Sequence, residues 1–322
     1  DAGSLSIAPS QEIAALRARF AALPAASPLE NSWAEPLPRD HPLRAIGMQA
    51  NGIQEARRPV DTEWDLSGPA AASWFRVGNG LADRRQPGEF RVLENGPEVL
   101  NQILPSGLHS HTLSTRHSAV LTSPRFRVTT DFISVQALGQ GATLRLIPDN
   151  YPLSPGGSRF PKATVNSARP SWITLDTAYR KGSFAYLELT LPADSTNPDG
   201  DSARLGWFGV RQVVFHDTRA AGPSGPAGVA DAPRFVDLPQ AANTLAQAAQ
   251  AWGRDQADEA QCALLDAALR YGVLSGRSDQ APRLASLTAE YRRLAAELST
   301  PRRAPGLLEG TGFDQPLLVR GD

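Results

Sequence analysis

The chain has 322 residues, and its 32 lysines and arginines nearly balance 33 aspartates and glutamates. That balance creates no overall field to draw nucleic acid or an acidic membrane surface, so binding through bulk charge is excluded. Cys262 is the only cysteine, which rules out an internal disulfide, a Cys-x-x-Cys-His haem attachment and a multi-cysteine zinc site. No stretch approaches the ~18 apolar residues of a membrane span. The first residues lack a charged-then-apolar leader, so the sequence reads as mature or excised.

Ile13, Leu16, Phe20 and Leu23 recur at spacings of three and four between Ser10 and Pro24, which predicts a short amphipathic helix. The segment up to residue 70 is rich in Pro, Asn and charge and reads as an irregular arm anchored by Trp33 and Trp64. From about Ala72 short extended runs take over: 73–77, 88–93, 119–122, 126–128, 132–138, 142–147, 172–176, 184–191 and 208–216. In residues 132–138 and 186–191 apolar and polar side chains alternate, as expected where one sheet face is buried and the other wet. This rhythm predicts a mainly β protein, an antiparallel β-sandwich of the jelly-roll kind, over residues 71–238.

After Pro239 alanine, leucine and charge dominate. Leu245, Ala249 and Trp252 mark one helix, Leu264 to Leu269 a second, and Leu284, Leu287, Tyr291, Leu294 and Leu298 a third. Pro282 suits the first turn of the last helix. The expected organisation is therefore residues 1–70 as helix and arm, 71–238 as sandwich and 239–322 as a helical region. The third stripe is expected to pack on its own chain, with the helix at Ile13 to Leu23 as one partner.

An ordered string of segments resembles known proteins. It runs through Pro87-Gly88-Glu89-Phe90, Ile103-Leu104-Pro105-Ser106-Gly107, His111-Thr112-Leu113-Ser114, Leu121-Thr122-Ser123-Pro124-Arg125-Phe126 and Asn150-Tyr151-Pro152-Leu153. It continues through Trp172 with Asp176, Ala185-Tyr186-Leu187-Glu188, Val213-Val214-Phe215-His216 and Gly312-Phe313-Asp314-Gln315-Pro316. These look like a segment of large secreted planctomycete proteins that carry cytochrome c and domain-of-unknown-function modules. The resemblance covers roughly residues 72 to 322. It implies export to the periplasm, cell surface or medium, a galactose-binding-like sandwich, and the opening of a C-terminal domain. Family members run on where this sequence stops at Arg320-Gly321-Asp322, and their haem domain has no counterpart here.

Carbohydrate recognition needs flat aromatic faces with a few fixed polar groups beside them. Trp74, Tyr151, Trp172, Tyr179 and Trp207 are the candidate platforms, and Arg145, Asn150 and Lys181 the candidate polar contacts. The competing reading buries the rings in the core and lets Asp149 and Asn150 close a turn. His109, His111 and His117 crowd together, and a His-x-His pair on a strand faces one side, which suits zinc or copper; hydrogen-bonded structural histidines explain them equally. Asp194, Asn197, Asp199 and Asp201 share a loop whose oxygens suit a structural calcium, although the glutamate closing a full calcium loop is missing. Ser114, His117 and Asp131 can be drawn as a triad, but no nucleophile elbow accompanies them.

The sequence-level expectation is a non-catalytic polysaccharide-binding module in a multidomain protein, with glycan and the parent's other domains as partners. The alternative is a structural scaffold that positions neighbouring domains. A glycan-active enzyme fragment stands third, since no carboxylate pair in the sequence compels it.

Overall fold

A computed structural model describes residues 62–82, 85–149, 160–191, 194, 206–217, 225–226, 238–280 and 282–298. Its strands are β1 (Thr62–Asp65), β2 (Phe75–Val77), β3 (Glu89–Phe90), β4 (Ile103–Leu104), β5 (Leu108–His109) and β6 (Val120–Thr122). They continue with β7 (Phe126–Arg127), β8 (Phe132–Pro148), β9 (Lys162–Asp176), β10 (Phe184–Thr190), β11 (Trp207–His216) and β12 (Gly225–Pro226). Three helices follow among the described residues, α1 (Leu238–Gly253), α2 (Glu259–Arg270) and α3 (Pro282–Glu297). The strand pairings are antiparallel, in the order β1-β11-β8-β10-β6-β2, with β9 along the other side of β8. The protein is thus mainly antiparallel β, a sheet curled into a sandwich, with helices toward its C-terminal end.

The curl originates in β8. A straight strand of its 17 residues would span about 55 Å. Yet one short segment bonds near both of its ends: Gly182 donates to the Val128 carbonyl, and Asp149 donates to that of Phe184. The strand therefore folds back on itself. Its bend lies at Gly139, where the pairing with β9 shifts register twice. Ile133, Val135 and Ala137 face the main core before the bend, and Ala142, Leu144 and Leu146 face it afterwards. The bulge changes the parity, so both arms point their apolar face inward. Gly139 is required there, because it has φ +149 and a Cβ would meet the Trp207 carbonyl oxygen and come 2.8 Å from the Phe208 Cα. β11 repeats the device: Phe208 and Val210 face the core, then, past a register shift, Val213 and Phe215 do.

The two predicted strands at 132–138 and 142–147 are hence one bent strand. The expected irregular arm also supplies β1, whose Trp64 meets the rings of Trp74, Phe126 and Phe215 edge-on at centroid distances of 6.0, 5.5 and 4.9 Å. The polar face of β8 and β10 is not wet, as the alternation had predicted. Ser134, Gln136, Glu188 and Thr190 are buried, and they are accommodated by pairing: the Ser134 hydroxyl bonds both Thr174 and His216 at 2.8 Å.

The three predicted helices form where the apolar spacing placed them. Asp258 and Gln261 close a capping box on α2. Helix α2 docks onto the sheet through two carboxylates. Asp266 accepts from Ile103 N at 3.1 Å, and Glu259 accepts from Ser106 N at 3.0 Å while pairing with Arg211 at 2.7 Å. Leu284 and Tyr291 of α3 pack on Phe90, Val92 and Val99. Arg292 donates to the carbonyls of Leu93, Gly96 and Glu98. Leu284 and Tyr291 of the leucine stripe thus pack on their own chain and Leu287 is buried, whereas Leu294 is exposed; the helix expected at Ile13 to Leu23 lies outside the described residues.

Candidate functional site

The β9–β10 connection carries the exposed chemistry. It is a tight turn, with Arg180 N donating to Thr177 O at 2.8 Å and Ser183 N to Arg180 O at 3.0 Å. Within it Tyr179 is 58% exposed, and Phe184, at the start of β10, is 42% exposed. Each ring lies beneath a guanidinium: Arg180 stands 5.0 Å from the Tyr179 centroid and Arg125 4.2 Å from that of Phe184. Arg180 also faces Phe160, at 5.4 Å. The result is a rim of aromatic faces and fixed cations at one edge of the sandwich.

Register explains why Phe184 is outside. Ala185, Leu187 and Leu189 face the core, so Phe184, Tyr186 and Glu188 fall on the opposite face. Burial beside Glu188 pushes the Tyr186 hydroxyl up to about 12, with desolvation the larger cause. Lys181 fastens the turn: its ammonium bridges Asp131 at 2.7 Å and Asp217 at 3.0 Å. These hydrogen bonds raise the lysine above its ordinary value, and the bond from Lys181 lowers Asp217.

The other sequence candidates resolve differently. Trp74 and Trp207 are each 4% exposed and belong to the interior, so neither serves as a platform. Trp74 packs against Trp64, whereas Trp207 packs on Leu104 and Leu138 beneath the Arg91 guanidinium at 4.9 Å. Trp172 is half-buried on β9, where its backbone pairs with β12. Arg145 is corrected from ligand contact to buried partner, since it bonds Glu188 at 2.6 Å directly across the β8–β10 pairing. Lys181 stands at the rim, already engaged by its two aspartates. Tyr151 and Asn150 lie outside the described residues.

Two of the three candidate histidines, His109 and His111, are held inside the fold. His109 is buried and hydrogen-bonds the Pro105 carbonyl through Nε2 at 2.8 Å. Burial pushes its pKa down to about 4. Gly209 makes room for this ring, because a Cβ there would collide with His109 Nδ1. His111 takes φ +59, which breaks the alternation that was to align the two rings. Its Nδ1 meets Ser110 Oγ at 2.6 Å and its Nε2 the His117 carbonyl at 2.9 Å. Desolvation lowers the His117 pKa as well. With its ring nitrogens engaged by protein groups, His111 cannot serve as a ligand, and no group of three or more metal-ligating side chains converges among the described residues.

Asp194 accepts from Ala119 N at 2.9 Å, so one carboxylate oxygen ties a loop to the sheet. Asn197, Asp199 and Asp201 lie outside the described residues. The drawn triad fares similarly, with Ser114 Oγ accepting from Arg116 N and Asp131 holding Lys181.

Sequence reasoning missed Phe184, Arg180, Arg125 and Phe160. The one available signal was parity: with Leu187 and Leu189 inward, an aromatic at 184 points outward.

No protein-family model and no curated protein matches the chain. Among solved structures, a family 61 carbohydrate-binding module in complex with β-1,4-galactotriose is 10% identical, covering 50% of this chain and 100% of that one at a TM-score of 0.27. The C-terminal family 6 module of a marine laminarinase from Zobellia galactanivorans is 9% identical, covering 48% of this chain and 98% of that one at 0.25. A family 43 arabinoxylan arabinofuranohydrolase from Bacillus subtilis is 11% identical at 0.23, covering 40% of this chain and 24% of that one.

Proposed function

We propose that this protein binds a glycan without breaking it, at the rim formed by Tyr179, Phe184, Arg125 and Arg180. The observation that carries this reading is the pairing of exposed rings with arginine donors at and beside the β9–β10 turn, while Trp74 and Trp207 are sealed inside. A sugar ring offers an apolar face and a belt of hydroxyls, and such a rim offers a complement to both. The exported, multidomain setting implied by the sequence resemblance gives the module a role in holding its parent protein on polysaccharide.

Calorimetry of the full chain against a panel of plant and marine polysaccharides tests the reading. Binding to at least one is expected, and Tyr179→Ala and Phe184→Ala should each weaken it roughly tenfold, about 1.4 kcal/mol. An undiminished affinity in both variants, or no binding across the panel, overturns it.

A scaffold role is the second reading. It is favoured by the ties from the helices to strand β4 and to neighbouring loops through Asp266, Glu259 and Arg292. It expects the rim substitutions to change nothing in any polysaccharide assay.

A further inference from the structure

Arg180 differs from the lysine beside it. Its neighbour Lys181 already holds two carboxylates. The Arg180 guanidinium lies within cation–π distance of both Tyr179 and Phe160, and among the described residues no carboxylate pairs with it. Its Nε is buried without a hydrogen-bond partner, so only the terminal nitrogens remain to meet a ligand. Two neighbouring rings restrict the guanidinium and favour its charge, and neither supplies a counter-anion. A planar fork held in this way suits a carboxylate or sulfate, which it can bond through two parallel N–H groups.

We propose that the saccharide taken at this rim carries an anionic group, a uronate carboxylate or a sulfate ester, received by Arg180. This rests on the glycan-binding reading above and adds the substrate class. Bulk attraction does not account for such a preference, because the formal net charge is −1. It comes from one pre-oriented cation: charge-assisted hydrogen bonds are roughly twice as strong as those a neutral hydroxyl offers.

The experiment compares the full chain against polygalacturonate and its methyl ester, and against dextran sulfate and dextran, by calorimetry at one fixed ionic strength. The two pairs separate carboxylate from sulfate. At least one charged member should bind about tenfold tighter than its neutral counterpart. Arg180→Gln should erase that preference, and Arg180→Lys, which keeps the charge but loses the fork, should restore only a small part of it. Arg293→Gln, on α3 and paired with Glu297, should leave it intact. Equal binding of charged and neutral members, or a preference that survives Arg180→Gln or falls equally with Arg293→Gln, overturns the inference while glycan binding stands. No binding to these or to any neutral polysaccharide overturns both. Thermal unfolding midpoints establish that each variant is folded.

Discussion

The molecule places an arginine over an aromatic ring at two opposite kinds of site. At the junction with the helices, Arg91 stands 4.9 Å from the Trp207 ring, and at the rim Arg180 stands 5.0 Å from that of Tyr179. The contact distance is nearly the same, but Trp207 is 4% exposed and Tyr179 58%. Burial pushes the Arg91 pKa down to about 10, with Tyr291 and Glu94 acting in the opposite direction. The same pair of residue types thus glues a seam in one place and presents a surface in the other, and exposure alone separates the roles.

Breaking the buried member should have the largest effect. Trp207→Ala removes an indole packed on Leu104 and Leu138, and about 3–5 kcal/mol of stability should be lost in denaturant unfolding. A loss under about 1 kcal/mol would mean the seam is not packed as described.

Glu188→Gln sharpens the same contrast between polar groups. The substitution removes the carboxylate charge that faces the buried Arg145 guanidinium, at a cost of about 3 kcal/mol. Its signature is a lowered unfolding midpoint, and replacing both residues by apolar ones should recover most of it.

Acid should act on the junction through His109. Its folded pKa is depressed to about 4 while the unfolded chain titrates near 6.5. The unfolded state therefore takes up a proton first as pH falls. Stability present above that range is lost between about pH 6.5 and 4, on the order of 3 kcal/mol in all. His109→Asn should flatten this part of the stability–pH curve; an unchanged slope would assign the acid sensitivity to another group.

The rim supplies the smallest stability effect. Tyr179→Ala should shift unfolding by less than about 0.5 kcal/mol, since the ring leaves little behind when removed. Its consequence belongs to binding. A large loss of stability in this variant would place Tyr179 with Trp207, among the structural rings.

Much of the architecture was legible in the chain. The three helices stand at the expected apolar repeats, and most of the expected extended runs hold a strand, although β4, β5 and β12 were not expected and β9 begins at Lys162, ten residues before the run at 172–176. Local spacing is sufficient there, because a helix stripe or a strand face repeats within a few residues. The errors came where one element depends on another. Gly139 was read as a break between strands because a bulge and a turn use the same residue. β1 was read as arm because its apolar content is one tryptophan and its pairing partner, β11, lies about 150 residues away. The rings divided for the same reason: nothing near Trp207 in sequence announces that Arg91, Leu104 and Leu138 will cover it.

By itself, then, the sequence determined the positions of the three helices and of most central strands, the antiparallel sandwich class and the lack of any disulfide within the chain. Only the tertiary structure decided which aromatics are wet, that Arg145 is committed to Glu188, and that the histidine rings are held by Pro105, Ser110 and the His117 backbone. The physical reason is that periodicity is a property of neighbours along the chain. Exposure and charge pairing belong to whatever the fold brings opposite, and in this protein two parity-shifting bulges set what lies opposite.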